Sequence, residues 1–175
     1  MKKILLLLLT LILCFGLFAC GGSDEPSESA DPTETVSEDS GVPSIKGSQA
    51  YDIVLSLEDT GIPKADAETT SDGFRFSSAT LEYSYDIETN SKHEVMCAQF
   101  MVLSGNDNGY LGFCGSMPYD SSDSSAQQWV NDNVGTEASK TFGDAIYSLS
   151  VGSQGPILTI KATGYDDYVM GLLSE

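Results

Sequence analysis

Side chains able to do chemistry are few in this chain, and their spacing excludes most of the familiar constellations. His93 is the only histidine and Arg75 the only arginine. A Ser/His/Asp triad would have to use His93, which follows Ser91-Lys92 beside a turn, and no G-x-S-x-G elbow presents a serine to it. His93 therefore reads as a solvated turn histidine. Zinc needs three or four His, Cys or carboxylate ligands, more than one histidine and a cysteine pair provide. Residues 104–109 (SGNDNG) imitate the opening of a calcium loop with Gly109 in sixth place, but Ser104 stands where an aspartate is needed and Gly115 where the closing glutamate is needed. That segment reads instead as an Asn-Gly hairpin turn. No phosphate-cradling loop or dinucleotide glycine pattern occurs, and Ser139-Lys140 are adjacent, not spaced as in penicillin-recognising enzymes. These absences predict a non-enzyme without metal or cofactor. One catalytic alternative stays open, a small hydrolase working with two carboxylates, because such pairs converge only in the fold.

Composition narrows the partners. The chain has 175 residues, 26 acids and 8 bases, a net charge of −18. A nucleic-acid surface needs a basic stripe, and this chain has none. At 41% hydrophobic residues it is too apolar to be disordered throughout. Its length suits one ordinary domain.

The N-terminus carries the most specific signal. Lys2-Lys3 precede an almost unbroken aliphatic run over 4–13, continued by Cys14 and residues 15–19, a basic n-region with a short apolar h-region. The run is shorter than the roughly 20 residues that a spanning helix requires. Leu17-Phe18-Ala19-Cys20 at its end resembles the lipobox of bacterial prolipoproteins. The resemblance implies diacylglyceryl modification of the Cys20 thiol and cleavage just before it. It thus implies a protein held by lipid at the outer face of the cytoplasmic membrane. Gly21-Gly22-Ser23 after the cysteine is similar to many Gram-positive lipoproteins and favours a Gram-positive over a Gram-negative source. Two acyl chains give stable attachment where one does not.

Three segments follow: a signal peptide over 1–19, the lipidated cysteine with an acidic linker over 20–47, and one domain over 48–175. The stretch 21–45 contains seven acids, three prolines and no base, and should be a self-repelling tether. Within the domain, Ala50, Ile53, Val54 and Leu57 have helical spacing, with Ser48 to cap the start, Gly61 at C′ and Pro63 beyond. GFRF from Gly73 is a short strand. Leu81, Tyr83, Tyr85 and Ile87 alternate with polar residues as a half-buried strand. The apolar run 94–103 is a central strand, and residues 110–115 (YLGFCG) are its return after the Asn-Gly turn. Ser124 and Gln127 fit a capping box for a helix that Trp129 anchors on the sheet. A hairpin around 153–156 and a C-terminal helix from Tyr165 complete the order α-β-β-β-β-α-β-β-α. The predicted fold is an α+β two-layer sandwich, an antiparallel sheet of about six strands with two to three helices.

Cys97 and Cys114 remain in a disulfide-permissive compartment. Placed on strands flanking one turn they would be neighbours, so a disulfide is predicted, worth about 3 kcal/mol in the chain-entropy model. Two buried free thiols are the alternative. The expected function is a membrane-anchored binding or interaction module of unknown ligand. The envelope hydrolase and a purely structural or assembly lipoprotein are the other readings.

Overall fold

The computed structural model describes residues 41–104, 106–107, 109–117 and 124–174. Cys20, the signal segment and most of the acidic linker lie outside the described residues. Seven antiparallel strands form one sheet: β1 (Glu68–Thr69), β2 (Gly73–Ala79), β3 (Tyr83–Asn90), β4 (Val95–Val102), β5 (Ala138–Phe142), β6 (Ala145–Val151) and β7 (Pro156–Ala162). Their spatial order is β1-β2-β3-β4-β7-β6-β5, which puts β4, the most apolar of the strands with only Gln99 polar, at the centre. The described residues form four helices, α1 (Ala50–Asp59), α2 (Tyr110–Ser116), α3 (Ser125–Asn133) and α4 (Tyr165–Leu172).

The strand order contains a repeated layout that no sequence repeat announces. A helix followed by the meander β2-β3-β4 forms one half, and a helix followed by β5-β6-β7 forms the other. The halves meet through β4 and β7, with Ala98 opposite Ile160 and Phe100 opposite Leu158.

Period-2 alternation sorts the strand residues onto two faces. Phe76, Tyr85, Ile87, Ala98, Phe100, Tyr147, Leu149, Leu158 and Ile160 form the buried face. Helices α1, α2 and α3 cover it with Ile53, Val54, Leu57, Leu111, Cys114, Ala126 and Val130. Trp129 anchors α3 as its spacing suggested, meeting Phe142 edge-on at 5.9 Å. Tyr147 satisfies its buried hydroxyl by donating to the carbonyl of Gly115 at 3.1 Å. The opposite face carries the polar residues.

Several expectations need correction. The sheet has seven strands rather than six, because the two-residue β1 and the polar β5 lack an apolar signal. Residues 110–115 are helix, not strand. Two glycines three residues apart, Gly112 and Gly115, let α2 lie close on α3. A Cβ at Gly112 would sit 1.9 Å from Asn131 Oδ1, and one at Gly115 would sit 2.8 Å from Val130 Cγ2. Asp107 and Gly109 accordingly lead into a helix, and no hairpin joins β4 to residues 110–115.

The domain also begins earlier than residue 48. Ile45 is fully buried, and its N–H donates to the Val95 carbonyl at 2.8 Å. Ser48 does not cap α1, whose N-cap is Gln49. Its buried hydroxyl donates to the Ile45 carbonyl and accepts from the Val95 N–H, stitching this segment to β4. Ser124 is the N-cap of α3 but makes no side-chain capping bond, so the capping box with Gln127 is not formed.

Candidate functional site

A groove crosses one end of the buried side of the sheet, built by three well-braced segments. The first is the end of α1. Gly61 takes φ +93°, its N–H donates to Glu58 and the N–H of Ile62 donates to Leu57, a Schellman ending sealed by buried Ile62 against Leu57. The second is the β2–β3 turn. The Thr80 hydroxyl accepts from the N–H groups of Glu82 and Tyr83, and the Thr80 N–H donates to the Tyr83 carbonyl at 2.8 Å. From the far side, the Ser104 hydroxyl donates to the Leu81 carbonyl and the Leu103 N–H to the Glu82 carbonyl. The third is the start of α2, where both carboxylate oxygens of Asp107 accept backbone N–H groups, from Gly109 at 3.0 Å and Leu111 at 2.8 Å.

These segments enclose two cavities that meet at Thr60 and Tyr83. One, of about 430 Å³, is lined by Thr60, Gly61, Ile62 and Thr80–Tyr83. The other, of about 220 Å³, is lined by Thr60, Tyr83, Gly109, Tyr110 and Phe113. Tyr83 and Tyr110 pack with ring centroids 4.4 Å apart. The Tyr110 hydroxyl donates to the Ser84 carbonyl at 3.0 Å, which fixes the ring. Burial pushes its pKa well above the ordinary tyrosine value, so it stays a neutral wall. Leu81 stands at the lip, 90% exposed. It shares the alternation of Tyr83, Tyr85 and Ile87, but it falls two residues before β3 begins, so no element covers it.

The open face of the sheet is the second candidate. Its cross-strand rows run Arg75–Glu88–Cys97–Lys161–Ile146 and Ser77–Asp86–Gln99–Thr159–Ser148–Ser139. A shallow depression of about 290 Å³ lies over Ser77, Ser84, Asp86, Gln99 and Met101. The charged groups are matched to one another. Arg75 holds Asp86 by donating from Nε and Nη2 to its two carboxylate oxygens, and that hydrogen-bonded pair raises the arginine pKa further. The hydroxyl of Tyr165 on α4 donates to Glu88 Oε2 at 2.5 Å, and Lys161 Nζ donates to Asp166 at 2.6 Å. Asp86 and Glu88, the carboxylates nearest one another along β3, are thus each engaged by a partner, an arrangement that ties the face together.

The cysteines are corrected here: no disulfide joins them, and both are free. Cys97 faces the open side between Glu88 and Lys161, whereas Cys114 is fully buried on α2 at the other side. The predicted neighbourhood rested on residues 110–115 being a strand, and it disappears with that strand. Burial, reinforced by Glu88, pushes the Cys97 thiol up to about 12. Cys114 is raised for the same first reason, burial.

His93 is only partly exposed, not a freely solvated turn residue. Its ring stacks on Phe74 at 4.3 Å and meets Tyr51 at 4.9 Å, with Nδ1 buried and unpartnered. Its backbone takes φ +63°, and its carbonyl accepts the Ala50 N–H at the start of α1. The residue shapes the β3–β4 turn.

Among the described residues no group of three or more His, Cys, Asp or Glu side chains could hold a metal ion. Compared with family models, curated proteins and solved structures, the chain gives no significant match. None of the described helices is long and apolar enough to cross a membrane. Site residues that the sequence reading missed are Thr60, Leu81, Tyr83 and Phe113. The available signal was Leu81, an aliphatic residue in a Thr-Leu-Glu turn ahead of the alternating strand.

Proposed function

We propose that this chain is a lipid-anchored extracytoplasmic binding module, held at the membrane through Cys20, whose binding site is the groove beneath Leu81. One exposed leucine alone needs no explanation. This one lines the cavity that has Tyr83 in its wall, next to the cavity of Tyr110 and Phe113, and its backbone is braced from both sides, so the leucine is carried at a fixed place on the lip. That observation carries the binding reading. Pre-formed, mostly apolar concavities with a few polar groups are the usual form of ligand sites. The lipobox residues Leu17-Phe18-Ala19-Cys20 support the location, and the acidic linker supplies reach.

Two experiments test this. Cells fed labelled palmitate should label the wild-type protein, while Cys20→Ala should stay unlabelled and uncleaved. Cleavage of Cys20→Ala as an ordinary secreted protein would overturn the anchoring. For the groove, the mature chain carrying Cys20→Ser should shift the emission of the neutral dye Nile red to the blue, and Leu81→Ser should abolish the shift. An unaltered shift in Leu81→Ser would remove the groove as the site.

A further inference from the structure

Resting on the groove as the binding site, we propose that its occupant is a basic, apolar peptide segment. An aliphatic or aromatic side chain would sit on Tyr83, Tyr110 and Phe113 under Leu81, with a lysine or arginine beside it.

The shape selects side chains. Two cavities of about 430 and 220 Å³ share Thr60 and Tyr83 in their walls and offer adjacent compartments, the larger with room for several side chains. The charge selects their neighbours. Glu82 lines the larger cavity and is exposed, and Glu58 and Asp59 are exposed in the last turn of α1, immediately before Thr60. No base lines either cavity. The carbonyl end of α1 points its partial negative charge the same way, and the last turn of that helix contains no basic residue to balance it. On the opposite wall the N-terminus of α2 is already occupied by Asp107. The groove is therefore apolar inside, and the charged residues in and beside its lining segments are net negative, Glu58, Asp59 and Glu82 against exposed Lys64, within a domain whose residues 46–175 hold 19 acids against 6 bases.

The same rim argues against a second copy of this chain. A two-fold contact would set Glu82, Glu58 and Asp59 against their own copies. An anionic lipid surface is disfavoured on the same ground.

The test uses the mature chain with Cys20→Ser, which needs no detergent, and fluorescein-labelled short peptides read by anisotropy. One peptide alternates lysine with leucine and phenylalanine. A second replaces the lysines by glutamate, and a third replaces the apolar residues by serine. The first should bind best, and Leu81→Ser should weaken it about tenfold, the scale of burying one leucine side chain. Glu82→Gln should weaken it by a smaller factor and reduce its salt dependence. Both positions are exposed, so both variants should fold. Equal or tighter binding of the glutamate peptide would overturn the assignment. So would binding of the lysine peptide that neither substitution alters, since it would then report bulk charge alone. Sedimentation showing self-association that Leu81→Ser abolishes would give the groove to a second copy instead. If Nile red still responds in a Leu81-dependent way while the peptides are not distinguished, the groove stands and only the basic partner fails.

Discussion

Two turns occupy matching places in the two halves of the sheet and treat their central residues differently. The turn between β5 and β6 is Gly143-Asp144. Gly143 takes φ +57°, and Asp144 ties the hairpin to the rest of the domain, its carboxylate accepting the Lys46 N–H at 2.9 Å and its carbonyl the Thr163 N–H at 2.8 Å. Between β2 and β3 the turn is Thr80-Leu81-Glu82, and it too is secured by polar groups, the Thr80 hydroxyl and the Ser104 side chain. Neither turn needs an apolar side chain for its geometry. Leu81 is thus surplus to the architecture, and its place at the lip of an aromatic groove is what sets the first half apart.

If the halves form one cooperative unit, damage at their seam must be felt in both. Phe100→Ala, at the β4–β7 junction, should lower stability by about 3–5 kcal/mol in urea unfolding. Trp129 fluorescence, which reports the second half, should move with the far-ultraviolet circular dichroism of the whole. Two separate transitions would break the picture of one core. The cysteines probe opposite sides of that seam. In the native state both should react with alkylating reagents at least about a hundredfold more slowly than in the unfolded chain, since burial suppresses the thiolate. Both should label fully after unfolding without reductant. A thiol that labels only after reduction would restore the disulfide.

Smaller effects sharpen the contrast between the turns. Asp144→Ala should cost about 1 kcal/mol in thermal unfolding through the lost bond to Lys46. Glu94 links the start of the domain to the first half. Burial opposes its ionisation, but hydrogen bonds from Asn90, Ser44 and the Gly47 backbone outweigh this and hold its carboxyl below the usual range. A carboxylate lowered on folding contributes stability above its unfolded pKa and loses it as the pH falls through the folded value. Glu94→Gln should therefore reduce stability at neutral pH and flatten the decline on acidification, as read by unfolding midpoints across that range. Smallest of all, Leu81→Ser should change stability by less than about 0.5 kcal/mol. A large loss would make Leu81 architectural after all.

Elements with strong periodicity were legible in the sequence. Ile53, Val54 and Leu57 mark α1, Gly61 its end, and the largely apolar run 95–102 the central strand. Residues 110–115 were misread because a short helix packed through Gly112 and Gly115 has no long apolar period, and its cap, Asp107, sits in a segment that also resembles a hairpin turn. β5 was invisible because only Phe142 of its five residues is large and apolar. The groove was illegible for a different reason. Thr60, Leu81, Tyr83 and Phe113 come from three separated segments, and only the fold brings them together.

Hydrogen–deuterium exchange of the mature chain with and without the lysine–leucine–phenylalanine peptide tests the central claim most directly. Added protection is expected at residues 60–62, 80–83 and 110–113, with the open-face segments of β6 and β7 unchanged. Protection confined to the open face, or absent from all three groove segments at saturating peptide, would contradict it.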